Sequence, residues 1–392
     1  MDFSFLLKSE IQDFINENLN GNLQKLALKK NPFTEVPYQL ILEQIASKQK
    51  AKIKLPTWYS THNIIYPSKI SIEQTSSEKT AKYKASLISG NSLIDLTGGF
   101  GVDDYYFAKK FEKVIHCELN EQLSQSVNHN YKKLKVSTIE CLSGNSSEIL
   151  KNINKKFDYI YIDPSRRNDL KGKVFMLKDC EPNVTELLDF YFEFSDNILI
   201  KTAPILDIQA GLNELKFVKR IHIVALENEV KELLWEIEKD FNDDISIIAI
   251  NIEKDEIQQT KIELCDDSYS NYSLPLTYLY EPNASLLKSG KFESIGKLFN
   301  INKLHQHSHL FTSEKLVNFQ GRTFKITNIL PFDKEIGKKF LLKQKMNVTS
   351  RNFPLKPEEI KKKFKIIDGG IVFAFFTTNI NNEKIIVLCE KI

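Results

Sequence analysis

The chain has 392 residues, 42% of them hydrophobic and 27% charged, with a formal net charge of +3. That length exceeds what one hydrophobic core usually serves, so two or more domains are expected in an ordinary globular protein. The five cysteines (Cys117, Cys141, Cys180, Cys265, Cys389) stand singly with no CxxC pair, which argues against a disulfide framework or a structural zinc site. No apolar run reaches the roughly 18 residues of a membrane span. The start, MDFSFLLKSEIQDF, lacks the basic opening and cleavage site of a signal peptide, so a cytoplasmic location is expected. Charge is uneven. Between Phe319 and Ile392 fifteen Lys/Arg face seven Asp/Glu, a surplus of 8 that leaves the rest of the chain at −5. A basic end on a mildly acidic body suits a polyanion, although solvated lysines explain it equally simply.

Residues 1 to about 50 read as helical, from apolar residues three or four apart in FSFLLKSEIQDFI and VPYQLILEQIA. Pro56–Ser77 reads as an ordered loop, after which Ser77 or Thr80 caps a helix through KTAKYKASLI. Strands then alternate with helices. SLIDLT, KVIHCEL, STIECLSG, FDYIYIDP, NILIKTA and IHIVALE are predicted strands, separated by helical segments such as VDDYYFAKKF and NEQLSQSVNHNYKKL. This alternation implies a parallel sheet covered on both faces. VKELLWEI reads as a further helix, and SIIAINIE and TKIELC as strands joined by a turn. DDSYSNYSLP is a linker by composition. LTYLYEPNASLLKSGKFESIGKLF suggests a small α+β module. The last segment holds a lysine-rich helix, KPEEIKKKFKI, then the strands IVFAFFTT and KIIVLCEK.

In a parallel α/β sheet, ligands bind at the carboxyl ends of the strands. After the first strand stand Asp95, Thr97, Gly98, Gly99, Gly101 and Asp103, at the start of a helix. Glycines there let the backbone approach a ligand, and helix-start amides offer hydrogen bonds. The dinucleotide fingerprint fails, because Asp104 occupies the third glycine's place; a plain strand–helix turn is the simpler account of these residues alone. Glu118 ends the second strand, where a carboxylate can accept both ribose hydroxyls of an adenosine, or merely begin a helix. Asn145, after the third strand, offers a donor and an acceptor to an adenine edge, or sits in a turn. Asp163-Pro164-Ser165-Arg166-Arg167 follows the fourth strand. There Asp163 could accept from an acceptor amine, Pro164 could present backbone carbonyls, and Arg166 and Arg167 could meet a phosphate or form ion pairs with the body.

LIDLTGGFGVDD, HCELN and YIDPSRR resemble motifs of class I S-adenosylmethionine-dependent methyltransferases. GKVFMLKDCEPNV, ENEVKELLWEI, YLYEPNASLLKSG and VTSRNFPLKPEEIKKKFKIIDGG resemble bacterial members that carry ferredoxin-like and C-terminal THUMP-like domains. The resemblance covers most of the chain from about Trp58. It implies a Rossmann-like class I methyltransferase sheet, with an N-terminal helical region and small C-terminal α+β domains. The expected limits are 1–75, 76–268, 277–318 and 319–392. It further implies S-adenosyl-L-methionine as cofactor, with Asp95, Gly99, Gly101, Glu118 and Asp163 in its pocket and Glu73–Ser77 closing over it. RNA is the substrate class, because THUMP domains of tRNA-modifying enzymes bind RNA. Lysines 338, 339, 343, 345, 361, 362, 363 and 365 then neutralise phosphates.

Ser165 and Arg166 stand where base-amine methyltransferases carry proline and an aromatic that stacks on a flipped base. Cys180 is the nearest cysteine to Asp163 in sequence and reaches it only through folding. A cofactor-binding but silent RNA-binding protein, or a methyltransferase for proteins or small molecules, therefore remain as alternatives. His305, His307 and His309 would share one face if extended, yet no Cys or acid adjoins them and no metal is expected. Phe340, Phe353 and Phe364 read as core rather than stacking platforms.

Overall fold

Apolar spacing folds the N-terminal stretch into helices in the computed structural model, which describes residues 4–33, 35–166, 176–254, 256–265 and 269–392. They are α1 (Ser9–Glu17), α2 (Leu23–Ala27), α3 (Tyr38–Lys54), α4 (Pro56–Ser60), α5 (Lys69–Gln74) and α6 (Glu78–Leu87). Ile11 and Ile15 close a small core with Leu26, Ile41 and Ile45. The expected loop at Pro56–Ser77 is corrected: it contains α4 and α5. Proline begins α4, and the Ser68 hydroxyl accepts from Ser71 N to begin α5. Two side-chain amides hold the extended strap between them. Gln44 brackets the backbone of Tyr66, and Asn130 brackets that of Ile65, each donating and accepting at 2.7–2.9 Å. Ser77 caps α6.

The chain divides into two compact units, Met1–Lys219 with Leu234–Asn242, and Arg220–Leu233 with Asp243–Ile392. In the first, β1 (Gly90–Asp95), α7 (Val102–Phe107), β2 (Phe111–Glu118), α8 (Glu121–Lys133), β3 (Ile139–Ser143), α9 (Ser146–Ile153) and β4 (Tyr159–Ile162) alternate as expected. The short strands β5 (Ser165–Arg166) and β6 (Cys180–Glu181), then α10 (Val184–Tyr191), β7 (Asn197–Thr202) and α11 (Ile208–Glu214), complete it. The order β7-β4-β1-β2-β3 is parallel throughout. Order therefore reverses between β1 and β4, which opens a crevice at their carboxyl ends.

Beyond β8 (Val218–Leu226), VKELLWEI is not a helix but part of strand β9 (Glu229–Glu238). Glu227 and Asn228 both take positive φ, 50° and 61°. Such a pair forms the two-residue turn that twists with a hairpin and sends the chain straight back. Trp235 is fully buried, donates from Nε1 to Thr202 Oγ1 at 3.0 Å, and fills the space beside Gly211. Tertiary burial overrode the local helical spacing.

In the second unit, β10 (Ser246–Glu253) pairs parallel with β8 and antiparallel with β11 (Glu256–Glu263). Then come β12 (Tyr278–Pro282), α12 (Ala284–Ser289), α13 (Phe292–Leu298), β13 (Asn302–Lys303), β14 (Phe311–Ser313), β15 (Gly321–Pro331) and α14 (Lys334–Phe340). β16 (Asn347–Ser350), α15 (Pro357–Phe364), β17 (Val372–Thr378) and β18 (Lys384–Lys391) end the chain. A seven-stranded sheet runs β13-β14-β12-β15-β18-β17-β16. Phe364 lies in a core with Leu341, Met346 and Phe376, and Phe340 and Phe353 pack against it. The expected linker is also packed where described: Ser270 N and Tyr272 Oη donate to Glu293 at 2.9 and 2.8 Å. Glu281, 3% exposed, is gripped by Arg322 and by Arg351, whose Nη2 lies 2.8 Å away.

Candidate cofactor and active site

The turn after β1 is seated on a buried side chain. A Cβ on Gly98 would lie 2.2 Å from the imidazole of His116, which is fully buried with Nδ1 2.7 Å from Asp104 Oδ2. Gly101 takes φ 72°, and a Cβ there would strike Tyr131 Oη at 2.0 Å; that hydroxyl donates to Gly101 O at 2.9 Å. The third-glycine position thus carries an acid because Asp104 clasps the histidine beneath the turn. Burial raises the pKa values of Asp95 and Asp104 well above the carboxylate range, and each interacts with the other. A shared proton lets two carboxyls lie together in such a site. Burial pushes His116 the other way, toward the neutral ring.

Asp95 links this support to the opposite wall. Its Oδ1 accepts from Thr97 N at 2.7 Å and Thr97 Oγ1 at 3.1 Å, and Thr97 Oγ1 accepts from Asp163 N at 2.7 Å. The turn after β1 and the end of β4 are therefore held in one hydrogen-bonded chain. Glu118, at the tip of β2, accepts from Gly99 N at 3.0 Å and Asn120 N at 2.7 Å. Asn145 is the N-cap of α9, its Oδ1 accepting from Ser147 N and Glu148 N.

Asp103 anchors a buried row of charges. It accepts from Ser76 Oγ at 2.9 Å and Tyr161 Oη at 2.8 Å, with Lys84 Nζ 3.2 Å from Oδ1. Burial alone would raise its pKa, but the Lys84 and Lys201 ammoniums and the two hydroxyls outweigh it and hold the carboxyl below the usual range. Lys201, from the end of β7, is ion-paired with Asp163. Among the residues expected to act, Asp95, Thr97, Gly98, Gly99, Gly101, Asp103, Glu118 and Asp163 come together in this network. Pro164 is buried behind Asp163, and Arg166 pairs in the β5–β6 ladder with Cys180. Arg167 lies outside the described residues. Sequence reasoning did not single out Lys84, Asp104's clasp of His116, Tyr161 or Lys201; a lysine closing an apolar strand, as in NILIKTA, was the available signal for the last.

The expected shared face of the three histidines is corrected. His305 to His309 lie in a turn rather than a strand. His305 meets Asn382 and Asn352, while His309 stacks on Phe292. Among the described residues, no three His, Cys, Asp or Glu gather as a metal site.

Residues 278–319 match a ferredoxin-like domain family and residues 321–391 a THUMP domain-like family. A crystal structure of a Porphyromonas gingivalis W83 protein assigned as a methyltransferase matches with 30% identity over 100% of this chain and 99% of that one, at a TM-score of 0.88. The chain belongs to this family of class I S-adenosylmethionine-dependent methyltransferases with ferredoxin-like and THUMP-like domains. An uncharacterized RNA methyltransferase of Clostridium acetobutylicum is 32% identical over 79 residues, 20% of this chain and only 17% of that protein. M. capricolum TrmK, solved in complex with the natural cofactor product S-adenosyl-homocysteine, matches 41% of this chain and 68% of its own at 17% identity and a TM-score of 0.33.

Proposed function

We propose that this methyltransferase acts on RNA, binding S-adenosyl-L-methionine at the crevice between β1 and β4 and its acceptor at Asp163. The observation that carries the cofactor half is the convergence of a glycine-rich turn, Glu118 and Asp163 at the point where strand order reverses. The donor chemistry fits. A carboxylate has about four lone-pair sites, so Glu118 can hold two backbone amides and still accept from two ribose hydroxyls. Gly99, where a Cβ would meet nothing nearer than 3.8 Å, leaves the backbone bare toward the amino-acid end. When bound, the cofactor supplies a methyl on a sulfonium. The protein positions the acceptor in line with it. Lys201 engages Asp163 Oδ2, leaving Oδ1 to accept from the acceptor's N–H or O–H.

RNA is supported by the basic THUMP-like domain. Lys338, Lys339, Lys343, Lys345, Lys362, Lys363 and Lys365 are all exposed around a packed core, while Lys361 pairs with Asp368. Exposed cations suit a phosphate backbone. Among the described residues no helix is long and apolar enough to cross a membrane.

The test is label transfer from methyl-labelled cofactor to total RNA of a strain lacking the protein. Labelled RNA is expected, with transfer lost in Asp163→Asn while S-adenosylhomocysteine still binds. Tight S-adenosylhomocysteine binding with no label in RNA would sink the RNA acceptor; failure to bind it would sink the site.

A further inference from the structure

The ferredoxin-like module carries an open cleft of about 460 Å³ that none of the roles above uses. That volume is within the range of small-ligand sites. One wall is aromatic: the rings of Phe292 and His309 stack with centroids 3.6 Å apart and planes 19° from parallel. Tyr269 stands at the mouth, 88% exposed.

The lining is cationic. Lys303 is 1% exposed and ion-paired with Glu293, its ammonium also 5.4 Å from the Tyr272 ring centroid. Glu293 is the carboxylate on the lining, and Lys303, Ser270 N and Tyr272 Oη take about three of its four acceptor positions. Burial would raise its pKa, but these donors outweigh that and keep it ionised. The pair cancels, so Lys291 carries the remaining charge on a lining that also holds the imidazole of His307. Lys291 spends one donor on Leu264 O and retains two. Burial, then Lys303, Arg351 and His307, push the pKa of His309 down, so its ring serves as a neutral aromatic surface.

An aromatic wall beside an ammonium and an imidazole recognises a planar ring joined to a phosphate. We propose that this cleft binds a nucleoside phosphate, with the base against Phe292 and His309 and the phosphate toward Lys291 and His307. The same chemistry can arrive as a free nucleotide or as the phosphorylated end of an RNA. Only the second source rests on the RNA reading above, and mononucleotide binding can be measured without it.

The test uses the full chain and titration calorimetry with 5′-AMP, adenosine, inorganic phosphate, and an RNA pentamer with or without a 5′-phosphate. A phosphorylated probe, AMP or pentamer, should bind at least tenfold tighter than adenosine and than phosphate alone. The variant Lys291→Ala/His307→Ala should lose tenfold or more of that affinity, with S-adenosylhomocysteine affinity and thermal stability unchanged. AMP binding identifies a free nucleotide as sufficient; binding by the phosphorylated pentamer alone identifies RNA as the source. Absence of binding by both phosphorylated probes would overturn the proposal, as would affinity that survives the double substitution. RNA methylation measured in parallel separates failure of this site from failure of the proposed acceptor.

Discussion

Replacing Gly98 by alanine should damage the cofactor turn far more than the same change one residue later. The new Cβ would sit 2.2 Å from both Cε1 and Nδ1 of His116, so a shift of more than about 1 Å is needed to reach ordinary contact. The ring has nowhere to go: it is fully buried, with Nδ1 2.7 Å from Asp104. Overpacking costs about 1–3 kcal/mol. Breaking the His116–Asp104 hydrogen bond in a buried site adds about 1–3 kcal/mol. Gly98→Ala should therefore cost about 2–6 kcal/mol if both terms apply. At Gly99 the nearest atom to a new Cβ is 3.8 Å away, and only the φ of 55° is unfavourable, worth about 1–2 kcal/mol. Urea unfolding of both variants measures this difference, and calorimetry with S-adenosylhomocysteine reports how far the turn has moved. A displaced turn should weaken binding by about tenfold or more, the equivalent of roughly 1.4 kcal/mol. Adding His116→Ala to Gly98→Ala should recover part of the loss, because it opens the space the methyl needs. Equal costs at the two glycines would refute the idea that His116 seats the turn.

Thr97→Val removes the hydroxyl joining Asp95 to Asp163 N; we expect about 1–3 kcal/mol lost in unfolding assays and kcat reduced more than the cofactor KM. Glu118→Gln should weaken S-adenosylhomocysteine binding about tenfold to a hundredfold, consistent with loss of charge-assisted hydrogen bonds worth roughly 1.5–3 kcal/mol, and unchanged calorimetric affinity would remove Glu118 from the ribose site. Asp103→Asn takes the carboxylate from the buried Lys84 ion pair and should cost about 3–5 kcal/mol at pH 7. Because the folded pKa of Asp103 is lowered, that stability exists above the unfolded value of about 3.9 and is lost as pH falls through the folded one. The gap between wild type and variant should begin to narrow below about pH 4, and a gap that stays constant to pH 3 would contradict the pairing.

Much of the catalytic sheet was legible because each strand is a short apolar run that ends in a polar or glycine-rich turn. SLIDLT, VIHCEL and YIYIDP all follow that rule, and the alternating helices forced them parallel. VKELLWEI misled because its spacing suits a helix, while the deciding facts were the left-handed pair Glu227-Asn228 and the slot beside Gly211 that Trp235 fills. β15 went unseen because GRTFKITNILP mixes apolar and polar residues on a strand whose pairing partners, β12 and β18, are distant in sequence. The site divided the same way. Residues at strand ends could be named from position alone. Partners that depend on burial could not, since nothing local says that Asp104 turns inward to His116 or that Lys201 reaches Asp163.

The buried row also gives the N-terminal region a physical connection to the crevice. Ser76 and Lys84 precede the sheet, yet both terminate on Asp103, and Lys84 Nζ donates to Ser76 Oγ at 3.0 Å. Glu78, also ahead of β1, accepts from Thr57 N and Oγ1 and from Tyr106 Oη on α7, at 2.5–2.8 Å. The helix that opens after the cofactor turn is thus fastened by residues from the preceding strap. Lys84 with Asp103, and Lys201 with Asp163, pair each of these two carboxylates with an ammonium. Removing Lys201 would take this ion pair from Asp163, the proposed acceptor-binding carboxylate, whereas removing Lys84 would act on the buried Asp103, which Ser76 and Tyr161 also hold. Both lysines lie outside the motifs that carry the family resemblance, yet each is tied to a carboxylate within them.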